Sequence, residues 1–234
     1  CFPALFEWLF GYGRIAVQVF LVAGGFLAAR SLAPAGVLID AGAFELLTRR
    51  YIRLALPLVA AVLLAVFCAG VARGMMVDDA IPAAPGAFQV LAHVFLLHDL
   101  VGVPALSAGV WYVAIDFQLY ALTIALLWLA RRMARDAVQA ERAGMAVLGA
   151  VAVLSLFSLN RDSDWDVAAP YHFAAYSIGM FSFWLTARRR LPVFWISVAL
   201  LTVLVSLALA FRLRLAVALA VAIVVATYVR TGML

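Results

Sequence analysis

Apolar runs of fifteen to twenty residues recur from one end of this chain to the other, separated by charged or Pro/Gly-rich breaks. In lipid, every backbone N–H and C=O must find its partner within the protein, and a helix does this inside a single segment. About 20 apolar residues carry such a helix across the hydrocarbon layer. The runs fall at about Ile15–Ala29 (or from Gly11), Ile52–Ala72, Val110–Ala130, Gly144–Leu159, Tyr171–Ala187, Val193–Ala210 and Leu215–Val229. Phe88–Leu97 is shorter and reads as a short or re-entrant piece. The fold class is therefore all-α, a polytopic transmembrane helix bundle of about seven to eight spans. One membrane domain is expected over residues 1–234. With 68% apolar and 12% charged residues, a soluble reading would have to bury all of these runs in one core.

Every one of the 17 basic residues is Arg. Without Lys there is no Schiff-base or general-base lysine and no P-loop lysine. The net charge of +5 is explained by topology rather than by nucleic acid, because the arginines cluster between the apolar runs. Arg30–Arg53, Arg131–Arg142 and Arg188–Arg190 are the cytosolic loops by the positive-inside rule. Asp78-Asp79 and Asp162-Ser163-Asp164-Trp165-Asp166 fall on the opposite side if Phe88–Leu97 does not cross. Phe211-Arg212-Leu213-Arg214 breaks the rule, so either that pair is functional or the last spans are misplaced. Cys1 and Cys68 give no disulfide framework. The chain opens on Cys1-Phe2-Pro3 rather than Met, which suggests a fragment with its first helix missing.

Asp116 is the one carboxylate inside the long apolar runs. A carboxylate at the centre of a membrane helix costs about 2.5–3.5 kcal/mol. At about 7 Å in from Trp111 the cost is smaller, but it still calls for partners. Tyr112, Asp116, Tyr120 and Thr123 recur at helical spacing and form one polar stripe. Such a stripe faces a bundle interior or a wet cavity.

Arg49, Arg50 and Arg53 form a basic edge at the start of a span. The simplest reading is a positive-inside anchor; the functional one is an anion clamp, since guanidinium forks bind phosphate bidentately. Gly24-Gly25 suits close helix–helix approach. His93 and His98 are five apart and would diverge by about 140° on a helix, so they are no i, i+4 metal pair. His172, at the start of a span, reads as an interfacial histidine. No metal site is expected.

Taken in order, these segments resemble the membrane acyltransferase 3 family. Gly13-Arg14-Ile15-Ala16-Val17-Gln18-Val19-Phe20-Leu21-Val22-Ala23-Gly24-Gly25-Phe26-Leu27 is similar to its GV-x-x-FFVLSGFL span, with Gly24 where serine is usual and Ala16 where glycine is usual. Arg49-Arg50-Tyr51-Ile52-Arg53-Leu54-Ala55-Leu56-Pro57 resembles its Arg-Arg-x-x-Arg-x-x-Pro element. The run from Trp111 to Tyr120 resembles W-S-L-x-x-E-x-x-F-Y, with Asp116 for Glu and Tyr112 for Ser. Phe173 to Met180 resembles the family's F-x-x-G-M helix. The family's catalytic histidine lies in a membrane helix upstream of the first of these, and neither His93 nor His98 matches its position.

The resemblance implies an integral-membrane O-acyltransferase of the bacterial inner membrane. Its donor would be cytosolic acyl-CoA, with acetyl as the expected group and no permanently bound cofactor. Its acceptor would be a hydroxyl of an envelope glycan or small metabolite, deprotonated by a histidine base. Arg49, Arg50 and Arg53 would bind the phosphates of coenzyme A. Asp116 would support the site by holding an Arg or a tyrosine hydroxyl, or by orienting the acceptor. Trp111, Tyr112 and Tyr120 would shape the substrate cavity. The bilayer is the remaining partner, and nucleic acid is not one. Two competing readings are a non-enzymatic transporter or flippase, using the polar stripe as a path, and a structural membrane protein.

Overall fold

The computed structural model describes residues 13–78, 81–107, 109–187 and 193–232. The sequence expectations that rest on Cys1, Gly11, Asp79 and Arg188 to Arg190 lie outside the described residues. Among the described residues eight α-helices carry the fold, with short 3₁₀ turns between some of them, and no strand occurs. They are α1 (Val17–Leu32), α2 (Ala43–Met75), α3 (Ala87–Val94), α4 (Val110–Met133), α5 (Ala137–Phe157), α6 (Ala169–Ala187), α7 (Val193–Leu209) and α8 (Leu213–Arg230). Four of these, α2, α4, α5 (with the following turn) and α8, are long and apolar enough to cross a membrane. At 16 residues, α1 spans about 24 Å, short of the ~30 Å hydrocarbon thickness. The sequence runs and the helices agree closely, and the protein is a helical membrane bundle.

The helices form two compact units: one takes residues up to Ala41 and from Leu122 onward, the other Gly42–Ala121. The first is organised around a crossing of α1 and α6. A Cβ on Gly25 would lie 1.9 Å from the carbonyl oxygen of Tyr176, and one on Gly179 would lie 2.0 Å from that of Val22. Only hydrogen fits at either position, so the two backbones touch, which is the use of small residues in membrane helices. Leu21, Val22, Phe173, Tyr176 and Met180 are buried around this crossing. Carbonyl groups left over at helix ends are taken up by side chains. The buried Trp184 indole donates to Ala33 O at 2.8 Å, just past the end of α1. Arg131 donates to Leu38 O and Ile39 O and pairs with Asp40 at 3.0 Å.

The opposite end of α5 is closed by Arg212. Its guanidinium donates to Leu156 O at 2.9 Å and Asn160 Oδ1 at 2.7 Å, and also to the Ser206 hydroxyl. A cation on the last carbonyls of a helix satisfies orphan acceptors and complements the dipole. One of the two arginines that break the positive-inside pattern therefore has a structural task. Nearby, Ser155 accepts from Ala174 N–H at 3.0 Å and donates to Tyr171 O, tying α5 to the first turns of α6.

The second unit comprises α2, α3 and the start of α4. Its 33-residue α2 is about 50 Å long. It begins nine residues before the apolar run, so Arg49, Arg50 and Arg53 lie on the helix and not in a loop. Glu45 in the first turn favours this early start, and Arg49 pairs with Glu45 one turn later. Pro57 sits inside the helix and leaves the Arg53 carbonyl without its usual N–H donor. Leu58 and Val62 form a cluster with Leu96, Val110 and Ala114, while Tyr51 meets Phe117 edge-on at 5.8 Å. Moving forward along α2 is thus moving back along α4, and the two run antiparallel.

Candidate active site

The polar stripe on α4 ends up partly inside the second unit. Asp116 is 5% exposed, and its Oδ2 accepts from the Arg50 guanidinium at 2.5 Å. The same guanidinium lies over the Tyr120 ring, 5.0 Å from its centroid. Arg50 therefore has a carboxylate at one edge and a π-face below it, two contacts a planar guanidinium makes and an ammonium does not. Position along α2 explains the partition of the three arginines. Arg49 and Arg53 are one turn apart on one face, while Arg50 is rotated by about 100° from Arg49 and turns inward. Arg49 and Arg53 are both exposed. Arg49 shares its charge with the exposed Glu45, and no ion pair to Arg53 is found among the described residues.

One turn before Asp116, Trp111 and Tyr112 are half-buried and meet edge-on at 6.2 Å. Tyr120 and Thr123 are buried further along the same helix. The stripe's first three members thus share one unit with Arg50. The Tyr51 hydroxyl donates to Val94 O at 2.8 Å, so the end of α3 is fastened beside the arginine-bearing turn of α2.

These elements sit in a chain that the acyltransferase 3 model, described as an acyltransferase domain, matches over residues 2–231. The chain belongs to the membrane acyltransferase 3 family. No curated protein and no solved structure is detectably similar to it. The match runs through both units, and the protein is a membrane acyltransferase with several apolar helices.

Within this acyltransferase, three features of the candidate site went beyond what the sequence motifs indicated. The partner of Asp116 is an arginine from the neighbouring motif, 66 positions away. The second feature concerns the two histidines. Because α3 stops at Val94, His93 and His98 do not diverge: their rings stack at 4.3 Å and 16°. Leu96 adopts φ +59, a left-handed conformation that costs about 1–2 kcal/mol for a residue other than glycine. Its burial against Val110 and Ala114 holds it there. No sequence signal marks that turn, since the usual helix terminators in this conformation are Gly and Asn.

Third, the two rings have different hydrogen bonding. His93 Nδ1 donates to Gln89 O at 2.8 Å and its Nε2 accepts from Leu106 N–H at 3.0 Å, which fixes a neutral tautomer with both nitrogens occupied. His98 is fully buried, with Nε2 3.3 Å from Asp99 Oδ2. Burial lowers its pKa, the Asp99 carboxylate acts the other way, and neighbouring His93 adds to the depression. His98 is accordingly neutral at pH 7. The third histidine, His172, donates from Nε2 to Asp166 O at 2.9 Å and packs edge-on against Tyr171.

Proposed function

We propose that this acyltransferase moves an acyl group, acetyl in the first instance, from cytosolic acyl-CoA to a hydroxyl of a carbohydrate or similar acceptor at a bacterial plasma membrane. The observation that carries the reading is the division of labour on one helix: Arg50 is held inward by Asp116, while Arg49 and Arg53 stand exposed one turn apart. Two guanidiniums at that spacing suit the phosphates of coenzyme A. The exposed pair between Arg49 and Glu45 is worth little on its own and yields readily to a phosphate. Asp116 acts as a positioning residue, fixing Arg50 over Tyr120. Trp111, Tyr112 and Tyr120 line the space into which the thioester projects.

In the transfer, the acceptor oxygen attacks the thioester carbonyl carbon and the C–S bond breaks. The hydroxyl proton passes to a histidine base and from it to the departing thiolate. His93 is not that base, because both of its nitrogens are occupied.

The test is transfer of labelled acetyl from acetyl-CoA by membranes that contain the full-length protein. Arg49→Ala with Arg53→Ala is expected to raise KM for acetyl-CoA by about tenfold or more, the loss of one to two charge-assisted contacts. The double Lys variant recovers little of it, because a point charge does not reproduce the fork. Wild-type KM in the double Ala variant sinks the phosphate role.

A further inference from the structure

The second arginine that breaks the charge pattern has no structural task of the kind Arg212 has. Near the Phe157 end of α5, which lies one helix length from the Arg131–Arg142 end, Arg212 bonds Asn160, the neighbour of Arg161, and Asn160 in turn bonds Tyr171, whose hydroxyl takes Arg214. Arg212 is consumed in capping, with its bonds going only to neutral oxygens. Arg214 makes one contact, to the Tyr171 hydroxyl at 3.4 Å, and no side-chain bond from Arg161 is found among the described residues. Burial first, and then the charge of Arg161, pulls the Arg212 pKa below its ordinary value, with Tyr171 acting the other way. The charges of Arg161 and Arg212 are thus near enough to feel one another.

Among the described residues no carboxylate forms an ion pair with these three arginines. Asp162 is engaged with Asp164 N–H of its own turn, and neither Asp164 nor Asp166 makes an ion pair with any of the three among the described residues. The arrangement is worse still for the helix that follows. Arg212 is the N-cap of α8 and Arg214 lies in its first turn, which contains no acidic residue and has no side-chain cap. The N-terminal pole of a helix is positive, so two arginines there oppose the dipole. With Arg212 engaged in capping, the guanidiniums of Arg161 and Arg214 stand beside an uncapped helix start, on the side where the positive-inside rule disfavours arginine, and this combination of charge and helix pole favours an anion.

We propose that Arg161 and Arg214, with Arg212 behind them, bind the oxyanion of a phosphate ester at the non-cytosolic membrane surface. The ester belongs either to a lipid headgroup or to a phosphorylated, water-soluble molecule. The site is separate from the acyl-CoA reading and stands or falls without it.

The experiment uses the full-length protein in nanodiscs, with thermal unfolding as the readout. The discs contain phosphatidylcholine alone, phosphatidylcholine mixed with phosphatidylglycerol, or phosphatidylcholine with pyrophosphate added in solution. At least one of the last two conditions is expected to raise Tm by about 3 °C or more. The rise should persist in Arg49→Ala with Arg53→Ala, which removes the other candidate phosphate contact, and fall by more than half in Arg161→Gln with Arg214→Gln. A rise with phosphatidylglycerol alone assigns the headgroup; a rise with pyrophosphate assigns the soluble ester. Arg161 is exposed and Arg214 half-buried, so this variant leaves the core intact, and its Tm in pure phosphatidylcholine checks that. No rise in either condition overturns the proposal, as does an equal rise in the Gln variant.

Discussion

The two units reach stability by different routes. The unit that contains α1 and α6 is built on backbone contact: Gly25 and Gly179 leave no room for a methyl group, and Trp184, Arg131 and Arg212 take up spare carbonyls. The Gly42–Ala121 unit does the reverse. It buries a carboxylate against an arginine, holds Leu96 in a left-handed turn and stacks two histidines with one tautomer locked. Much of α2 is left exposed, including Leu63, Leu64, Phe67 and Val71, as befits a lipid-facing surface. Strain and buried charge are concentrated in the unit that carries the Arg-Arg-x-x-Arg and Trp-to-Tyr motifs, and close packing in the other. Backbone packing and buried polarity are thereby kept apart.

The largest effect that would break this contrast is expected at the helix crossing. Gly25→Ala or Gly179→Ala places a Cβ about 2 Å from a backbone oxygen, which no side-chain rotation relieves. The helices must separate, at a cost of about 3 kcal/mol or more. Gly149→Ala is the control, because its Cβ would meet only the Phe181 ring at 3.9 Å. Folded yield and Tm in detergent should fall sharply for the first two and stay near wild type for the third. Equal losses at all three positions would remove the backbone-contact account.

The ion pair in the other unit should give the next effect. Asp116→Ala leaves Arg50 with its charge uncompensated and is expected to cost about 2–3 kcal/mol, below the full value for a buried pair because the arginine is partly exposed. Arg50→Ala combined with Asp116→Ala should cost less than the sum of the two single changes. A double-mutant cycle on Tm measures the coupling. Additive losses would mean that the two side chains do not depend on one another.

Much of this was legible in the sequence where one residue's chemistry decides. The helices follow the apolar runs because lipid forces backbone bonds inside each segment. Gly25 and the burial of Asp116 follow from small-residue packing and from the cost of a lone carboxylate. What was not legible depends on where the chain turns. The three arginines read as one basic edge at a helix end, but the helix turns Arg50 inward, away from Arg49 and Arg53. The choice of Arg50 as the partner of Asp116 needs the antiparallel register of α2 and α4, which no local pattern encodes. The His93–His98 stack needs α3 to end at Val94 with Leu96 reversing the chain, at a residue type that gives no warning of it.

The smallest effect belongs to that reversed turn and is a pH dependence. With the His98 pKa below its ordinary 6.5 in the folded protein, the unfolded chain takes up a proton first as pH falls. The contribution of neutral His98 to stability is then fully present above pH 6.5 and is lost as pH drops below it. Tm measured from pH 7.5 down to 5.5 should decline for the wild type, and part of that decline should vanish in His98→Gln, which keeps a polar side chain without a titrating ring. The groups facing His98 are Asp99 and His93. His93 is tied at both nitrogens. An Asp99→Asn variant sharpens the measurement: it removes a charge that favours protonated His98 and so lowers the folded pKa further, and the decline, which still begins at the unfolded value, should run deeper. A shallower decline in Asp99→Asn, or a wild-type profile in His98→Gln, would show that the titration lies elsewhere in the protein.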